Sequence, residues 1–350
     1  MCGLFFVVQR ARAVDPTRAR EATRALRHRG PDGVGEYSFA RTYQTTQGPL
    51  AVSGFVGHTR LSIIDPSTRS SQPFRRGERT LAYNGEIYNF RALRDELSRN
   101  GTRFDTDGDT EVLLALVASK GVEALNQANG MWAFCLLDES TGQLMAARDR
   151  YGKKPLFYYA DASTLCVASE ISPILAYLGR RPRLVLAELD SFLRDGWLFP
   201  HAGGATHIHD IRQVVAGGVL TFDMAAWRLD ERRYFDLAQY SAASPPDSSR
   251  LPAIMQDAVL ARLVADRNVG LLLSGGVDSS LILSVLCAQG MADRVTCFIG
   301  DAGKSDDALY ARLCVEQLGI NAVRFPLDYG PTGMDAFLQV CRHQEKPFPF

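Results

Sequence analysis

The residue best suited to covalent chemistry is the cysteine in the opening segment, MCGLFFVVQR. If Met1 is removed, Cys2 carries a thiol and a free α-amine on the same carbon. An α-amine titrates near pH ~8, so part of the population is neutral at pH 7 and can accept the thiol proton. Nucleophile and base would then share one residue, as in enzymes with an N-terminal threonine. The alternative interpretation is a cysteine that follows the start codon by chance.

Three further positions carry groups that such a nucleophile needs, and each has a second interpretation. Asn84 and Gly85 could stabilise an oxyanion through a side-chain amide and a backbone N–H, or could form a type I′ hairpin turn. Asp109 could receive a substrate ammonium or could N-cap the following helix. Arg60 could hold an α-carboxylate in its guanidinium fork or could be a solvated strand residue.

A second candidate site lies far downstream, in the stretch LLLSGGVDSSLILSVL. Glycines between a strand and a helix let the backbone approach an anion, and the helix N-terminus attracts phosphate. An ordinary strand-to-helix turn with Asp278 or Ser279 as N-cap is the other interpretation. GDAGKS at 300–305 is not a Walker A loop because the required earlier glycine falls on Phe298, and SGGVDSS does not fit G-x-G-x-x-G.

The elements that must position these residues differ between the two parts of the chain. FVGHTRLSIID, TLAYNGEIYNF, GMWAFCLLD and QLMAARD predict short strands broken by turn residues. Fewer segments have helical spacing, among them TRAREATRALRHRG with Thr17 as the expected N-cap. This α+β pattern predicts packed, largely antiparallel sheets with helices outside them.

After the small, polar stretch LAQYSAASPPDSSR the pattern becomes strand–helix alternation, with VGLLL, RVTCFIG and AVRFPL as strands. Such alternation predicts a doubly wound parallel sheet, the α/β class. We expect a first domain at 2–236 (core to about 190, then connecting strands), a linker at 237–250 and a second domain at 251–350. Three parallel strands would leave unpaired edges, so we expect the second domain to be incomplete.

Composition excludes some partners and indicates a compartment. Lys+Arg of 39 balances Asp+Glu of 39, which gives no reason to expect a nucleic-acid or membrane partner. The seven cysteines form no C-x-x-C pair, and no stretch approaches the about 20 apolar residues of a membrane helix, so we expect a reduced, cytoplasmic protein. A homodimer stays open. His201, His207 and His209 lack metal-ligand spacing, and Lys153-Lys154 predicts only a turn.

Six motifs, taken together, resemble one family across about the first 240 residues: MCG, RHRGPDG, TRLSIID, NGEIYN, DGDTEV and RDRYGKKPLFYY followed by ASE. They are similar to the glutaminase domain of glutamine-hydrolysing asparagine synthetases. The resemblance implies a four-layer αββα sandwich of the N-terminal nucleophile type, in which Cys2 attacks the side-chain amide of glutamine. It implies α-carboxylate binding by Arg60, an oxyanion hole at Asn84 and Gly85, and a sheltered tunnel for the released ammonia. It also implies pocket backbone at Leu61, Ser62, Ile63 and Ile64, and α-ammonium binding by Glu86 and Asp109.

SGGVDSS resembles the pyrophosphate loop of ATP pyrophosphatases, which adenylate a carboxylate or carbonyl and which include GMP synthetases and tRNA-thiolating enzymes. The resemblance implies that Asp278 ligates Mg²⁺ and that Leu272 and Ile299 pack near adenine. It assigns the pyrophosphate to Ser274, Gly275, Gly276, Ser279 and Ser280. SDDALYAR also matches, with Asp307 where glutamate is usual, whereas the family's second glycine-serine-acidic motif is missing from this sequence.

The function implied is that of a glutamine-dependent asparagine synthetase that uses ATP and Mg²⁺. Ammonia released from glutamine at Cys2 would attack an aspartyl-adenylate, giving asparagine, glutamate, AMP and pyrophosphate. Two alternatives remain open. One is an amidotransferase of the same build that acts on another carboxylate, in sugar or natural-product biosynthesis. The other is a glutaminase fragment or regulatory relative without synthetase activity.

Overall fold

The computed structural model describes residues 1–196, 203–240, 247–301, 306–327 and 333–345. His201, most of the expected linker, the GKS of GDAGKS and the last five residues lie outside these ranges. The chain divides into two compact units, Met1–Ser241 with Cys341–Phe350, and Ala242–Val340.

The first unit contains two antiparallel sheets, each with six strands within the described ranges. The first sheet has the order β10-β8-β9-β1-β3-β2, and the second has the order β12-β11-β7-β6-β5-β4. The strands of the first sheet are β1 (Gly3–Arg10), β2 (Gly33–Thr45), β3 (Gly48–Arg60), β8 (Phe157–Ala160), β9 (Thr164–Ala168) and β10 (Arg212–Gln213). Those of the second are β4 (Phe74–Arg76), β5 (Arg79–Ile87), β6 (Gly130–Asp138), β7 (Gln143–Arg148), β11 (Gly218–Asp223) and β12 (Arg228–Arg233).

Strand β1 is buried on both faces, which explains its continuous apolar sequence. Leu4, Phe6 and Val8 pack into a cluster shared with strands of the second sheet. Phe5 and Val7 point the other way, onto helices α1 (Pro16–Ala25) and α4 (Ile171–Leu178). Helices α2 (Phe90–Arg99) and α3 (Asp109–Lys120) accompany the second sheet, with α3 in contact with β5. The predicted αββα sandwich is thus confirmed, with its sheets face to face and its helices outside.

Two details of the first unit differ from the sequence prediction. Helix α1 is capped by Asp15, not Thr17: the Asp15 carboxylate accepts hydrogen bonds from the backbone N–H groups of Thr17 and Arg18, and Pro16 opens the helix. The segment after about 190 is more than a set of connecting strands. It completes helix α5 (Leu186–Asp195), and β10, β11 and β12 then extend both sheets, because β11 is itself largely buried.

The second unit is a parallel α/β arrangement, as predicted. Its strands are β13 (Val269–Leu272), β14 (Val295–Asp301) and β15 (Ala322–Pro326), in that order in the sheet. Its helices are α6 (Leu251–Ala261), α7 (Val277–Ala288) and α8 (Asp306–Leu318), and α9 (Gly333–Gln344) follows them. Residues from α7 and α8 join Cys297 and Ile299 of β14 in one apolar cluster. Of all the helices described, none is both long and apolar enough to cross a bilayer.

Candidate active site

A cavity of about 220 Å³ lies where Cys2 precedes β1, β3 ends and β5 passes. It brings together nearly all the residues predicted for a glutamine site. Those on its wall are Cys2, Arg60, Leu61, Ile63, Ile64, Asn84, Gly85, Glu86 and Asp109. Ser62 is predicted with them but does not line the cavity; its backbone N–H donates to Asp32 Oδ2 at 2.8 Å.

The Cys2 thiol is held by the backbone of Leu61. The Leu61 N–H donates to Cys2 Sγ at 3.3 Å, and the Leu61 carbonyl lies 3.6 Å from the same sulfur. Burial raises the pKa of the thiol, while the Leu61 hydrogen bond and the positive charges of the chain's amine, Lys154 and Arg60 lower it. The thiolate, the nucleophilic form, therefore depends on the charges around it.

The main chain of Cys2 is fixed by a buried ion pair from two of the quoted motifs. Arg29 Nε donates to the Cys2 carbonyl at 2.9 Å, and Arg29 Nη1 lies 2.8 Å from Glu170 Oε1. His28 Nε2 lies 2.9 Å from the same carboxylate oxygen. Sequence reasoning quoted both motifs, RHRGPDG and ASE, but assigned no role to these side chains. Because 141 positions separate the partners, the contact is invisible until the chain folds.

Asn84 and Gly85 do not form a turn, so the hairpin interpretation is wrong. Both lie inside β5, paired in register with Ala133 and Trp132 of β6. The Asn84 side chain is fully buried, and neither its Nδ2 nor its Oδ1 has a hydrogen-bond partner within the described ranges. A buried polar group without a partner costs about 1–3 kcal/mol, so this amide is held ready for a ligand. A Cβ at Gly85 would lie 2.3 Å from the Met131 carbonyl, so glycine is required there.

Asp109 opens helix α3 with its carboxylate turned inward, so the N-cap interpretation is also wrong. The N-cap position is Gly108. The Asp109 carboxylate accepts hydrogen bonds from the Tyr83 hydroxyl at 2.9 Å and from the Ile87 N–H at 3.0 Å. Burial raises the pKa of Asp109 to about 6, and burial also raises the pKa of the neighbouring Glu86. This wall of the cavity thus carries two carboxyl groups suited to a cation.

Arg60 is anchored to the loop that follows it. Its Nη1 donates to the Ser67 carbonyl at 2.8 Å and its Nη2 to the Asp65 carbonyl at 2.5 Å. A guanidinium has five N–H donors, so others remain for a carboxylate in the cavity. Arg60 is therefore not a solvated strand residue but a positively charged group fixed on the cavity wall.

Sequence reasoning did not assign five other residues on the cavity wall. The most informative is Lys154, which was predicted only to belong to a turn. The turn exists, but the Lys154 side chain is buried. The signal was its place inside the quoted motif RDRYGKKPLFYY, directly before an apolar run. The others are Gln72, Tyr83, Thr110 and Met131.

The SGGVDSS loop joins β13 to α7 and is exposed at several positions. The Ser274 N–H donates to Ser279 Oγ at 3.2 Å, and the Gly276 N–H donates to Ser274 Oγ at 3.3 Å. The N-cap of α7 is Gly276, so the alternative in which Asp278 or Ser279 caps the helix is wrong. Gly275 has φ +78°, and a Cβ there would lie 2.5 Å from the Asp307 carbonyl. Glycine thus satisfies both the left-handed backbone and the tight approach to α8.

Leu272 and Ile299, both predicted to lie near adenine, point to opposite faces of the parallel sheet. Leu272 pairs in register with Phe298, so Ile299 alternates to the other side. Leu272 is 74% exposed, whereas Ile299 is 1% exposed inside the apolar cluster. The Ile299 side chain is thus a core residue here, and only Leu272 is open to a ligand.

The donor set near Asp278 fits a cation that is shared with a ligand better than a protein-only cage. Asp278 is exposed in the first turn of α7, close in sequence to the hydroxyls of Ser279 and Ser280. No group of three or more His, Cys, Asp or Glu side chains suited to a metal occurs in the part of the chain that the structure describes. Magnesium often takes one or two carboxylates plus substrate phosphates, which Asp278 with a bound phosphate chain would supply.

Comparisons with known proteins agree with this geometry and with the motif resemblance. Residues 1–235 match the family model described as "Glutamine amidotransferase domain", and residues 250–350 match the model described as "Asparagine synthase". The chain is 31% identical to the glutamine-hydrolyzing asparagine synthetase 3 of Arabidopsis thaliana, covering 99% of this chain and 54% of the relative. It is 32% identical to the glutamine-hydrolyzing asparagine synthetase B of Escherichia coli, covering 81% and 44%. The chain thus spans about half the length of these relatives.

A solved structure was also compared, that of the glutamine phosphoribosylpyrophosphate amidotransferase from B. subtilis complexed with ADP and GMP. It has a TM-score of 0.48 and 19% sequence identity, covering 93% of this chain and 91% of that one. The matches of sequence confirm the resemblance that the motifs predict. Because one family model covers residues 1–235 of the 350, the chain belongs to the family of glutamine amidotransferase domains.

Proposed function

We propose that this chain hydrolyses glutamine at Cys2 and transfers the ammonia to an acyl-adenylate made at the SGGVDSS loop. The observation that carries the proposal is the buried Asn84 amide without a partner among the described residues, in one cavity with the Cys2 thiol. An amide and a backbone N–H at Gly85 suit the negative charge that develops on a carbonyl oxygen under attack.

The proposed hydrolysis uses groups that the cavity already holds. The Cys2 thiolate would attack the amide carbon of glutamine, and Asn84 and Gly85 would stabilise the oxyanion. The proton taken from the thiol by the chain's α-amine would pass to the departing nitrogen, which leaves as ammonia. Water would then cleave the thioester, releasing glutamate and the thiol.

Recognition of glutamine would rest on its zwitterionic end. Arg60 would pair with the α-carboxylate, while Glu86 and Asp109 would accept hydrogen bonds from the α-ammonium. Leu61, Ile63 and Ile64 would border the aliphatic part. This arrangement separates the two charges of an α-amino acid along opposite parts of the cavity wall and leaves the side-chain amide for Cys2.

The second half of the proposal is that aspartate is the acceptor, giving asparagine, AMP and pyrophosphate. It is supported by the match of residues 250–350 to the asparagine synthase model. ATP would place its pyrophosphate at Ser274, Gly275, Gly276, Ser279 and Ser280, with Mg²⁺ at Asp278. A different carboxylate acceptor is the second candidate, because nothing in the loop itself selects the acid. We place the reaction in the cytoplasm on cysteine usage.

Replacing the nucleophile tests the first half of the proposal. We expect Cys2→Ala to abolish glutamate release from glutamine, because no other thiol lines the cavity. Cys314→Ala, a partly buried thiol of the second unit, is the matched control and should keep full activity. The intact mass of active protein should lack the initiator methionine. Glutamine hydrolysis that survives Cys2→Ala, or full activity with Met1 attached, would contradict the assignment.

Truncating the buried amide tests the oxyanion hole. We expect Asn84→Ala to lower kcat for glutamine hydrolysis by about 10²–10³-fold with little change in KM. Its thermal unfolding should not be destabilised by lost hydrogen bonds, because the side chain makes none within the described ranges. Steady-state kinetics together with the unfolding temperature measure both. An unchanged kcat would show that Asn84 does not contact the reacting oxygen.

The raised pKa of Asp109 predicts a pH dependence for glutamine capture. As the pH rises through about 6, Asp109 loses its proton and gains the charge that attracts the substrate ammonium. We therefore expect kcat/KM for glutamine to rise with an inflection near this pH. Asp109→Asn should lose the inflection and raise KM, whereas Asp107→Asn, an exposed neighbour, should keep it. A profile of Asp109→Asn identical to that of the unmodified protein would contradict the role.

Isotope exchange between ATP and pyrophosphate tests the second half. With Mg²⁺ present we expect exchange that depends on aspartate, and Asp278→Ala should weaken it while leaving glutamine hydrolysis intact. Exchange with another acid but not with aspartate would favour the second candidate acceptor. If no acid supports exchange, the synthetase half of the proposal fails for this chain, and the glutaminase half is unaffected.

A further inference from the structure

Lys154 is a buried cation in a cavity that the glutamine proposal does not require it to occupy. Its side chain is 5% exposed and lines the same cavity as Cys2 and Glu86. The adjacent Lys153 is exposed and does not line this cavity. Burying an ammonium is costly unless charges compensate it, so a lysine kept here needs an electrostatic reason.

The backbone turn that directs Lys154 inward is built by one carboxylate. Asp149 Oδ1 accepts the N–H groups of Tyr151 and Lys153 at 3.1 and 3.0 Å, and Asp149 Oδ2 accepts the N–H of Lys154 at 2.9 Å. Asp149 is itself 1% exposed. The position of Lys154 is therefore rigid at its backbone, and its ammonium reaches the cavity from a fixed point.

The charged groups that face Lys154 come from several elements. Burial lowers the pKa of Lys154, while the charges of Glu86 on β5 and Cys2 before β1 raise it and so favour the ammonium. Arg29, which lies beyond α1, acts in the opposite sense, and Asp149 adds a weaker favourable charge. The other titratable groups around the thiol are the chain's amine and Arg60.

We propose that Lys154 is a positioning residue for the nucleophile: its fixed positive charge favours the Cys2 thiolate and the neutral, proton-accepting amine beside it. The inference deepens the proposed glutamine hydrolysis and rests on it. Both effects act in the same direction, because a nearby cation stabilises an anion and disfavours a second cation. Lys154 thereby promotes the transfer of the thiol proton to the amine that the first step needs.

The titration behaviour of both partners agrees with this charge effect. Burial raises the pKa of the Cys2 thiol, and Lys154 is among the charges that lower it. Burial lowers the pKa of the amine at the start of the chain, and Lys154 lowers it further. Glu86 acts against Lys154 on that amine. Removing the lysine would therefore leave the acidic wall dominant and keep the proton on the thiol.

The test is the pH dependence of Cys2 alkylation, which needs no glutamine turnover. Purified full chains carrying Lys154→Met, Lys154→Arg or the control Lys153→Met would react with iodoacetamide across a pH series. Mass spectrometry of the N-terminal peptide separates Cys2 from the other thiols. For Lys154→Met we expect the inflection to move up by about one pH unit, so that alkylation below it is about tenfold slower. Lys154→Arg and Lys153→Met should keep the inflection of the unmodified protein.

Kinetics of glutamine hydrolysis provide the second readout. For Lys154→Met we expect kcat to fall about tenfold without a rise in KM, because the lysine acts on the nucleophile and not on substrate binding. An unmoved alkylation inflection, loss of the effect in Lys153→Met as well, or a rise in KM alone would overturn the inference. If no variant hydrolyses glutamine but the inflection moves as expected, the charge effect stands and the proposed function fails. Equal unfolding temperatures would show that misfolding is not the cause.

Discussion

The antiparallel pairing of β1 with β3 is the constraint on which the candidate active site depends. Its register sets Gly3 opposite Thr59, so Cys2 comes to lie beside the residues that end β3 and donate to its sulfur. β1 is buried on both faces and pairs with β9 on its other edge. A slip of one residue would exchange its two buried faces, so the core itself fixes where the thiol stands. Position of the nucleophile and stability of the sandwich are one property.

The cavity departs from the rules that the rest of this unit follows. Elsewhere buried carboxylates are satisfied: Glu111 accepts from the Thr106 N–H and hydroxyl. Around Cys2 an amide is left without a partner in the described residues, and burial works against the charged forms of Glu86 and Lys154. Such local conflicts are expected where a sequence keeps polar groups for a ligand and not for folding. Their concentration in one 220 Å³ space locates the chemistry.

The sequence predicted the groups of the site better than it predicted their local structure. Cys2, Arg60 and Asp109 could be found because each stands in a short motif whose chemistry is legible without coordinates. Asn84-Gly85 could be read as a turn because the local preference of the pair for a hairpin is strong, and only pairing with β6 overrides it. Lys154 and the Arg29–Glu170 pair were missed because burial and long-range contacts are tertiary facts. Asp15 was missable only by overlooking Pro16, since Asp-Pro is an ordinary helix start.

The two candidate sites differ in how their polar groups wait for a ligand. Around Cys2 the Asn84 amide is already desolvated, so binding adds a hydrogen bond without breaking one inside the protein. In the SGGVDSS loop the Ser279 hydroxyl occupies the Ser274 N–H, and the Ser274 hydroxyl occupies the Gly276 N–H. A phosphate that uses these N–H groups must first displace two side-chain hydroxyls, which then become donors to it. The glutamine cavity is thus preorganised, whereas the loop exchanges internal hydrogen bonds for ligand ones, and its affinity depends on the charge of the ligand.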